Sequence, residues 1–596
     1  MPIRDFFLGR LFFSFAATLL AALIAFPALA QSVNGWLPLP PGQVIVGPVA
    51  RGQTFSVVKP GYPGEGSTVP SIVDGVEANV YVFPLPDITP ATLPFVNSAF
   101  SPASVVLTSV PTQYVRFYNP GAGGNAAGPW LVPSNQVRGL TVGQIRDVLA
   151  LPTPPTMQTI VLVPAGTCLL TGVAGPIAGW GAGGAVQEYL IGKSSPPGCG
   201  AGADPKYLST SNFINRQAIG AFALAYSPRA FGGNAGAVAY ALDHVVPPPL
   251  FTDMDSVYNA LDILNFGASG PLRDALAQLD GEIYADVPSV AIAAGRMFLD
   301  AIRDQAQLAR DRAAQALGDG ARLWANGFGG GGGLFGYGDV HGLRVGGGGV
   351  AFGLDYRFGP ALRAGVAAGY LRTGFGANGF PGAGGMDSFF VGPYASYADG
   401  PWRLDGALAY GFNSANVGRS ISFYSVFRSA SAQVDDHALL ARAEAGYRIT
   451  LDERTGMTPF ASFQSVAVWQ PGFSENGAGA VSLNVDGHSA VSALGALGVE
   501  LGHELPVGLP APLAMTVRAG WAHDFVDVSR SVVAGFQGLP DSIFTVDGAR
   551  WPRNAVSFGA RLVLTTEIAN VFFRYDGEAA GRAALHSATV GLRIAF

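Results

Sequence analysis

The sequence predicts an all-β fold: a 12-stranded antiparallel transmembrane β-barrel over residues 319–596, with a helix in its lumen and a small β-rich, Pro/Gly-rich domain at the N-terminus. Three observations predict it. Stretches of about ten residues alternate apolar with small or polar side chains at period two, the pattern of a strand with lipid on one face and water on the other. The connections between these stretches alternate short with long, a rhythm that a soluble sandwich has no reason to keep. The stretch 588–596 is itself such a strand, with Val590, Leu592, Ile594 and Phe596 on one face and Thr589, Gly591, Arg593 and Ala595 on the other. An uncovered apolar edge invites pairing with other chains, and a ring that pairs its last strand with its first has no edge. Those four apolar residues are therefore expected to mark the strand presented for barrel assembly.

Residues 1–30 read as a secretory signal: Arg4 and Arg10, an apolar run at 11–24, and an A-x-A site before cleavage between Ala30 and Gln31. No later stretch reaches the roughly 18 uninterrupted apolar residues that a spanning helix needs. An exported chain of this kind is expected in the periplasm, outside the cell, or in an outer-membrane barrel. Its length of 596 residues calls for at least two domains. With Gly 82, Pro 43 and only 13% charged residues, the composition fits neither a cytosolic enzyme nor a disordered tail. The net charge is -6 and Lys59, Lys193 and Lys206 are the only lysines, so nucleic acid is not an expected partner. Cys168 and Cys199 are the two cysteines. An even count in an exported chain favours one disulfide over two free buried thiols.

The N-terminal domain, 31–255, alternates short Val-, Thr- and Phe-bearing runs with Pro and Gly punctuation and predicts short strands with many turns. One helix is expected at 142–149, with Thr141 as N-cap and Gln144 completing a capping box. No G-x-S-x-G, H-E-x-x-H, C-x-x-C or P-loop pattern is present, so the strongest hydrolase, metalloprotease and nucleotide signatures are missing. Asp435, Asp436 and His437 are adjacent on a predicted strand and cannot all face one ion. No metal or cofactor is expected, and no catalytic motif stands out. The order Arg116-Phe117, Ile160 to Thr167 and the Gly-rich loop 179–187 resembles the secreted NAD-glycohydrolase toxins, and the resemblance implies dinucleotide-holding roles for Arg116 and Gln187. The same residues suit a β-rich module in which Arg116 is ion-paired and the glycines make turns.

From 256 to 318 the composition turns Ala-, Leu-, Asp- and Arg-rich, with helical spacing at 257–264, 272–279 and 290–317. Pro288 reads as the start signal of the last helix and Gly318 as its stop. Its arginines and aspartates suit a wet tube rather than lipid. The words Leu272-Arg273-Asp274-Ala275-Leu276-Ala277-Gln278-Leu279-Asp280-Gly281-Glu282-Ile283-Tyr284 look like the junction segment of type Va autotransporters.

The twelve strands are expected at 321–328, 347–358, 361–373, 387–398, 401–412, 436–449, 456–469, 489–503, 513–525, 555–566, 568–577 and 586–596. On their polar faces Asp355, Arg357, Arg403, Asp405, Arg442 and Glu444 are expected to face the lumen. The region resembles the autotransporter β-domain in words such as Leu323-Trp324-Ala325-Asn326-Gly327-Phe328, Trp402-Arg403-Leu404-Asp405-Gly406-Ala407-Leu408, Arg518-Ala519-Gly520-Trp521 and Val571-Phe572-Phe573-Arg574-Tyr575-Asp576-Gly577. That resemblance implies a monomeric protein in the outer membrane of a Gram-negative cell, secreted by the type V route with its N-terminal domain displayed outside. The implied partners are outer-membrane lipid, the barrel-assembly machinery, periplasmic chaperones and an extracellular target of unknown identity. Some members cut themselves at an Asn-Asn pair; none lies in 256–320, so release by self-cleavage is not expected. A surface-interaction module is the leading expectation for the N-terminal domain, with a toxin, or a barrel acting as a pore, as alternatives.

Overall fold

The computed structural model describes the strands at 43–48, 55–58, 68–73, 76–83 and 104–108 and residues 110–165, 167–190, 208–308, 320–505, 513–566 and 569–595. The signal-cleavage pair Ala30 and Gln31, Cys199 and Phe596 lie outside the described residues, as does 309–319 with Gly318. The chain divides into two compact units: residues 1–224 with 249–251, and 225–248 with 252–596.

In the first unit Thr112–Tyr118 pairs antiparallel with Met157–Val163, which pairs with Phe213–Ala218. A second sheet orders Gln43–Pro48, Ser104–Thr108, Cys168–Val173, Val186–Leu190 and Trp130–Leu131. Tyr114, Leu131, Val161, Leu169, Leu190 and Phe213 share a core. The expected helix is Val142–Val148, and both halves of its capping box form between Thr141 and Gln144.

The second unit holds a closed barrel of twelve strands: β1 Arg322–Leu334, β2 Leu343–Arg357, β3 Leu362–Ala377, β4 Gly382–Asp399, β5 Trp402–Phe423, β6 Val426–Tyr447, β7 Thr455–Gln470, β8 His488–Leu505, β9 Leu513–Asp524, β10 Asn554–Thr565, β11 Ala569–Ala580 and β12 Ala583–Ala595. Each pairs antiparallel with its neighbours in sequence, and β12 pairs with β1 to close the ring, with Leu323 opposite Ile594 and Gly327 opposite Val590. The two-face pattern holds in three dimensions. Phe352 and Leu354 are 53% and 50% exposed on the outer wall while Asp355 between them and Tyr356 is buried. On β12, Val590 is 55% exposed and Arg593 is fully buried.

The strands run further than expected at the long-loop end. The expected loops 329–346, 374–386 and 413–435 close down to turns at 335–342, 378–381 and 424–425. Hydrophobic alternation marks only the part of a strand that meets lipid, and beyond it Gly329 to Gly333 carry the ladder by backbone hydrogen bonds alone. The long connections 470–488 and 526–554 are not loops throughout either. They fold into a four-stranded sheet outside the ring, Phe473–Ser474, Leu483–Val485, Ser531–Phe536 and Leu539–Asp547.

Beyond a single turn of helix at Ser227–Ala230, four helices precede the barrel among the described residues of this unit: α1 Gly233–His244, α2 Asp253–Asn265, α3 Ser269–Asp280 and α4 Glu282–Leu308. Pro288 lies inside α4 rather than at its start. The start is set six residues earlier, where Gly281 turns left-handed at φ 74° to end α3 and the Asp280 carboxylate accepts the Glu282 N–H at 2.8 Å. Pro288 then forfeits one bond to the Tyr284 carbonyl, a loss that packing on all sides can absorb.

Candidate functional site: the helix-filled lumen

The helix α4 lies along the lumen with its N-terminus at the long-loop mouth and its C-terminal half at the short-turn end. At the mouth, the Glu282 carboxylate accepts the backbone N–H of His341 at 2.6 Å, and Asp286 accepts the N–H of Ala549 at 2.8 Å. At the other end, Gln305 donates to Asn326 of β1 at 2.7 Å, Asn326 donates to the Ala301 carbonyl at 3.0 Å, and Arg593 of β12 donates to the Gln305 carbonyl at 3.3 Å. The last turns of α4 thus hold both strands of the closing seam.

Between these ends one face of α4 is apolar and the other charged, as its spacing requires. On the apolar side, Phe298 stacks on Phe390 of β4 with centroids 5.0 Å apart. Gly369 lets that ring in, since a Cβ there would sit 2.7 Å from it. On the charged side, Arg296 pairs with Glu578 and lies 5.6 Å from the Trp551 ring centroid. Arg442 reaches Asp300 at 3.2 Å and Glu444 at 3.0 Å, and Arg518 reaches Glu444 at 2.9 Å. Arg303 reaches Asp576 at 3.3 Å, while Arg574 bridges Asp576 and Asp304. A cavity remains beside this face, lined by Arg296, Asp300, Arg303, Arg518 and Glu578 among others. Removing one partner from a buried pair leaves the other charge stranded, so the network specifies one seat for α4 even where each pair adds little net stability.

Toward the short turns a second cluster centres on Asp355. Arg363 donates to it at 2.7 Å, Arg593 at 3.1 Å and the Tyr394 hydroxyl at 2.7 Å, and Trp324 donates to that hydroxyl at 2.6 Å. At the outer mouth, outside the lipid band, burial and the neighbouring Glu282 push the Asp286 carboxyl up to about 8, and burial likewise raises Asp280 well above the carboxylate range. Arg419 and Glu475 pair there at 2.6 Å.

Of the expected lumenal residues, Asp355, Arg442 and Glu444 join these networks. Asp405 accepts from Ser396 at 2.7 Å, and Arg357 turns to the carbonyls of Gly359 and Pro360 at the short-turn rim. Arg403 lies half-buried on the same face of β5 as Asp405. Arg363, Arg518, Arg574 and Asp576 carry as much of the site and were not singled out from sequence, although strand parity places each of them opposite the lipid face; Arg593, which the pattern of the last strand did set on that face, joins them. Asp436 points inward to Asn413 at 2.5 Å while His437 points outward to Tyr410 at 2.7 Å, so adjacent residues do divide between faces.

In the first unit Arg116 donates to the carbonyls of Asn125 at 3.1 Å and Trp130 at 3.0 Å. Gln187, in the other sheet, is buried and donates to the Leu149 carbonyl at 2.8 Å. Cys168 lies in a described strand, but the expected Cys168–Cys199 pairing falls outside the described residues.

A closed antiparallel ring with an apolar outer wall and a charged, chain-filled lumen is a transmembrane barrel of the outer-membrane class. Residues 323–576 match the family model described as autotransporter beta-domain. Residues 323–576 are thus an autotransporter β-domain, a barrel of the outer membrane of Gram-negative bacteria. Curated relatives include an extracellular serine protease of Serratia marcescens, 24% identical over 61% of this chain and 34% of the relative. Another is the esterase EstA of Pseudomonas aeruginosa, 28% identical over 37% of this chain and 34% of the relative. The chain thus spans about a third of the length of the curated relatives it matches. Among solved structures, the translocator domain of the autotransporter NalP from Neisseria meningitidis is similar at TM-score 0.42 and 18% identity, over 53% of this chain and all of that one. The Bordetella BrkA β-domain is similar at TM-score 0.35 and 20% identity, over 47% of this chain and 100% of that chain.

Proposed function

We propose that the chain carries its own N-terminal domain across the outer membrane by the type V route and holds it at the cell surface as a monomer. The direction of α4 supports this most directly. The helix enters the ring at the long-loop mouth and reaches β1 at the short-turn end, so the polypeptide upstream of α1 emerges where outer-membrane barrels face the outside. The boundaries 1–30, 31–255, 256–318 and 319–596 divide the chain by role into signal, displayed domain, junction and translocating barrel. Periplasmic chaperones and the barrel-assembly machinery would receive the strand ending in Val590, Leu592, Ile594 and Phe596. The displayed domain acts in surface contact with an extracellular target, and the absence of an Asn-Asn pair in 256–320 favours retention over release.

Protease shaving of intact cells with an epitope tag near Ser32 tests this reading. The tag is expected to disappear from intact cells while a heat-modifiable barrel survives. A tag that resists until the outer membrane is broken places the domain in the periplasm and ends the proposal. Loss of cell attachment on deleting 31–255 tests the surface-contact role.

A further inference from the structure

The outer wall of β2–β5 is ordered in rows by the strand register. One row, Val350, Tyr370, Phe389 and Phe412, is apolar and ends the lipid band. On β5 that band runs from Trp402 to Phe412, ten residues that at ~3.3 Å each and a tilt of about 40° rise about 25 Å, the thickness of an outer-membrane apolar belt. The next row outward is Gly348, Arg372, Asp387 and Ser414, in which Arg372 donates to Asp387 at 2.7 Å and Tyr370 donates to the same carboxylate at 2.6 Å. Beyond it come two rows almost without side chains: Gly346, Gly374, Gly385 and Asn416, then Arg344, Gly376, Ala383 and Gly418. Arg344, Gly346, Gly374, Gly376, Ala383 and Gly418 of these rows floor an open groove of about 800 Å³ rimmed by the Phe380-Pro381 turn, and no residue of α4 lines it.

At three of these glycines the barrel has room for a side chain. A Cβ added at Gly346, Gly374 or Gly418 would meet nothing closer than 3.7 Å, whereas one at the inward-facing Gly347 or Gly349 would collide with backbone at 2.3 Å and 2.0 Å. A Val or Leu would suit an exposed strand better than Gly by propensity, so the empty floor answers to something outside the chain. Arg344 is exposed at the edge of the floor and has no hydrogen-bond or ion-pair partner among the described residues.

We propose that this groove seats the phosphorylated sugar headgroup of an outer-leaflet glycolipid. The acyl chains lie on the aromatic row, the sugar rings lie flat on the glycine floor, and Arg344 takes a phosphate, with Arg372 beside it. Arg344 supplies the positive charge of the groove, Asp387 being already held by Arg372 and Tyr370 in the row below, and the groove begins one row beyond the apolar band. The leaflet assignment rests on the barrel orientation proposed above; the binding test does not.

The full chain, refolded in neutral detergent, is titrated with a diphosphorylated disaccharide glycolipid, with the same lipid dephosphorylated, and with inorganic phosphate, and bound species are read by native mass spectrometry. The phosphorylated lipid is expected to bind one per chain, with Arg344→Gln and Gly374→Leu each weakening it about tenfold, since a charge-assisted bond to phosphate contributes on the order of 1.5–3 kcal/mol. Both variants should keep the heat-modifiable barrel, because neither position packs against the interior. Equal binding of the dephosphorylated lipid, or unchanged binding by both variants, would overturn the proposal. Displacement by inorganic phosphate alone would reassign the groove to free phosphate, and a dimer abolished by Gly374→Leu would reassign it to a second copy. Failure of the shaving experiment would leave these binding results standing and remove only the choice of leaflet.

Discussion

Asp355 is the residue on which the short-turn end of the lumen depends. Two guanidinium groups and one hydroxyl converge on a carboxylate that has no contact with solvent. Asp355→Ala would strand Arg363 and Arg593 without their anion, at a cost of ~3–5 kcal/mol. The expected readout is a clear fall in the denaturant midpoint for loss of the folded, heat-modifiable band; an unchanged midpoint would mean that water already serves those arginines. At the opposite end Asp286 gives a pH dependence with a defined sign. Its folded-state carboxyl titrates at about 8 against an ordinary value of about 4, so the folded mouth holds the extra proton. The stability it contributes is complete below about pH 4 and is lost as pH rises through about 8. Hydrogen exchange in the first turn of α4 should therefore speed up from pH 5 to 9 beyond the intrinsic chemical rate, and Asp286→Asn should flatten much of that excess. Residual excess in the variant would point to Asp280, which burial raises in the same direction.

At the scale of elements, α4 is the piece whose removal is most informative. It packs along the inside of the ring, with a cavity on its charged side. Deleting 289–317 should raise single-channel conductance in planar bilayers well above that of the full chain, and equal conductance would show that α4 leaves the lumen spontaneously. The elements also show what sequence can carry. The lipid-facing halves of the strands were legible because the membrane imposes period two on them: Phe352, Leu354 and Tyr356 cannot be polar. The outer halves obey no such constraint, and Gly329 to Gly333 look like a loop although each residue pairs on both sides. The sheet made by Ser531–Phe536 and Leu539–Asp547 was hidden for a related reason, since its strands lie in connections whose length alone marked them as loops. Pro288 misplaced the start of α4 because local signals cannot register a cap supplied by Asp280 from the preceding helix.

For the whole molecule, the division at Leu224/Ala225 makes α1 part of the barrel unit. Asn234 of α1 donates to the Asp547 carbonyl at 2.8 Å and accepts the Asp547 N–H at 2.9 Å. A chain beginning at Ala225 should therefore refold with the 531–547 hairpin protected from protease, whereas one beginning at 253 should have it cut first. Equal protection would separate α1 from the stability of the mouth. The lumenal partners of α4 were only half legible: the charges on β6 stood out in a run of alanines, while Arg518 and Arg574 were embedded in aromatic words whose outward faces drew the attention.

The seam between β1 and β12 has a mechanical meaning as well. Thirteen register pairs join β1 to each of its neighbours, and Gln305 near the end of α4 donates to Asn326 of β1. If a domain held outside were pulled, the start of β1 would be drawn back along its own strand, so both ladders would open from the short-turn end one pair after another rather than slip all at once. The bonds that join the last turns of α4 to Asn326 and Arg593 would then take the load before the ring does.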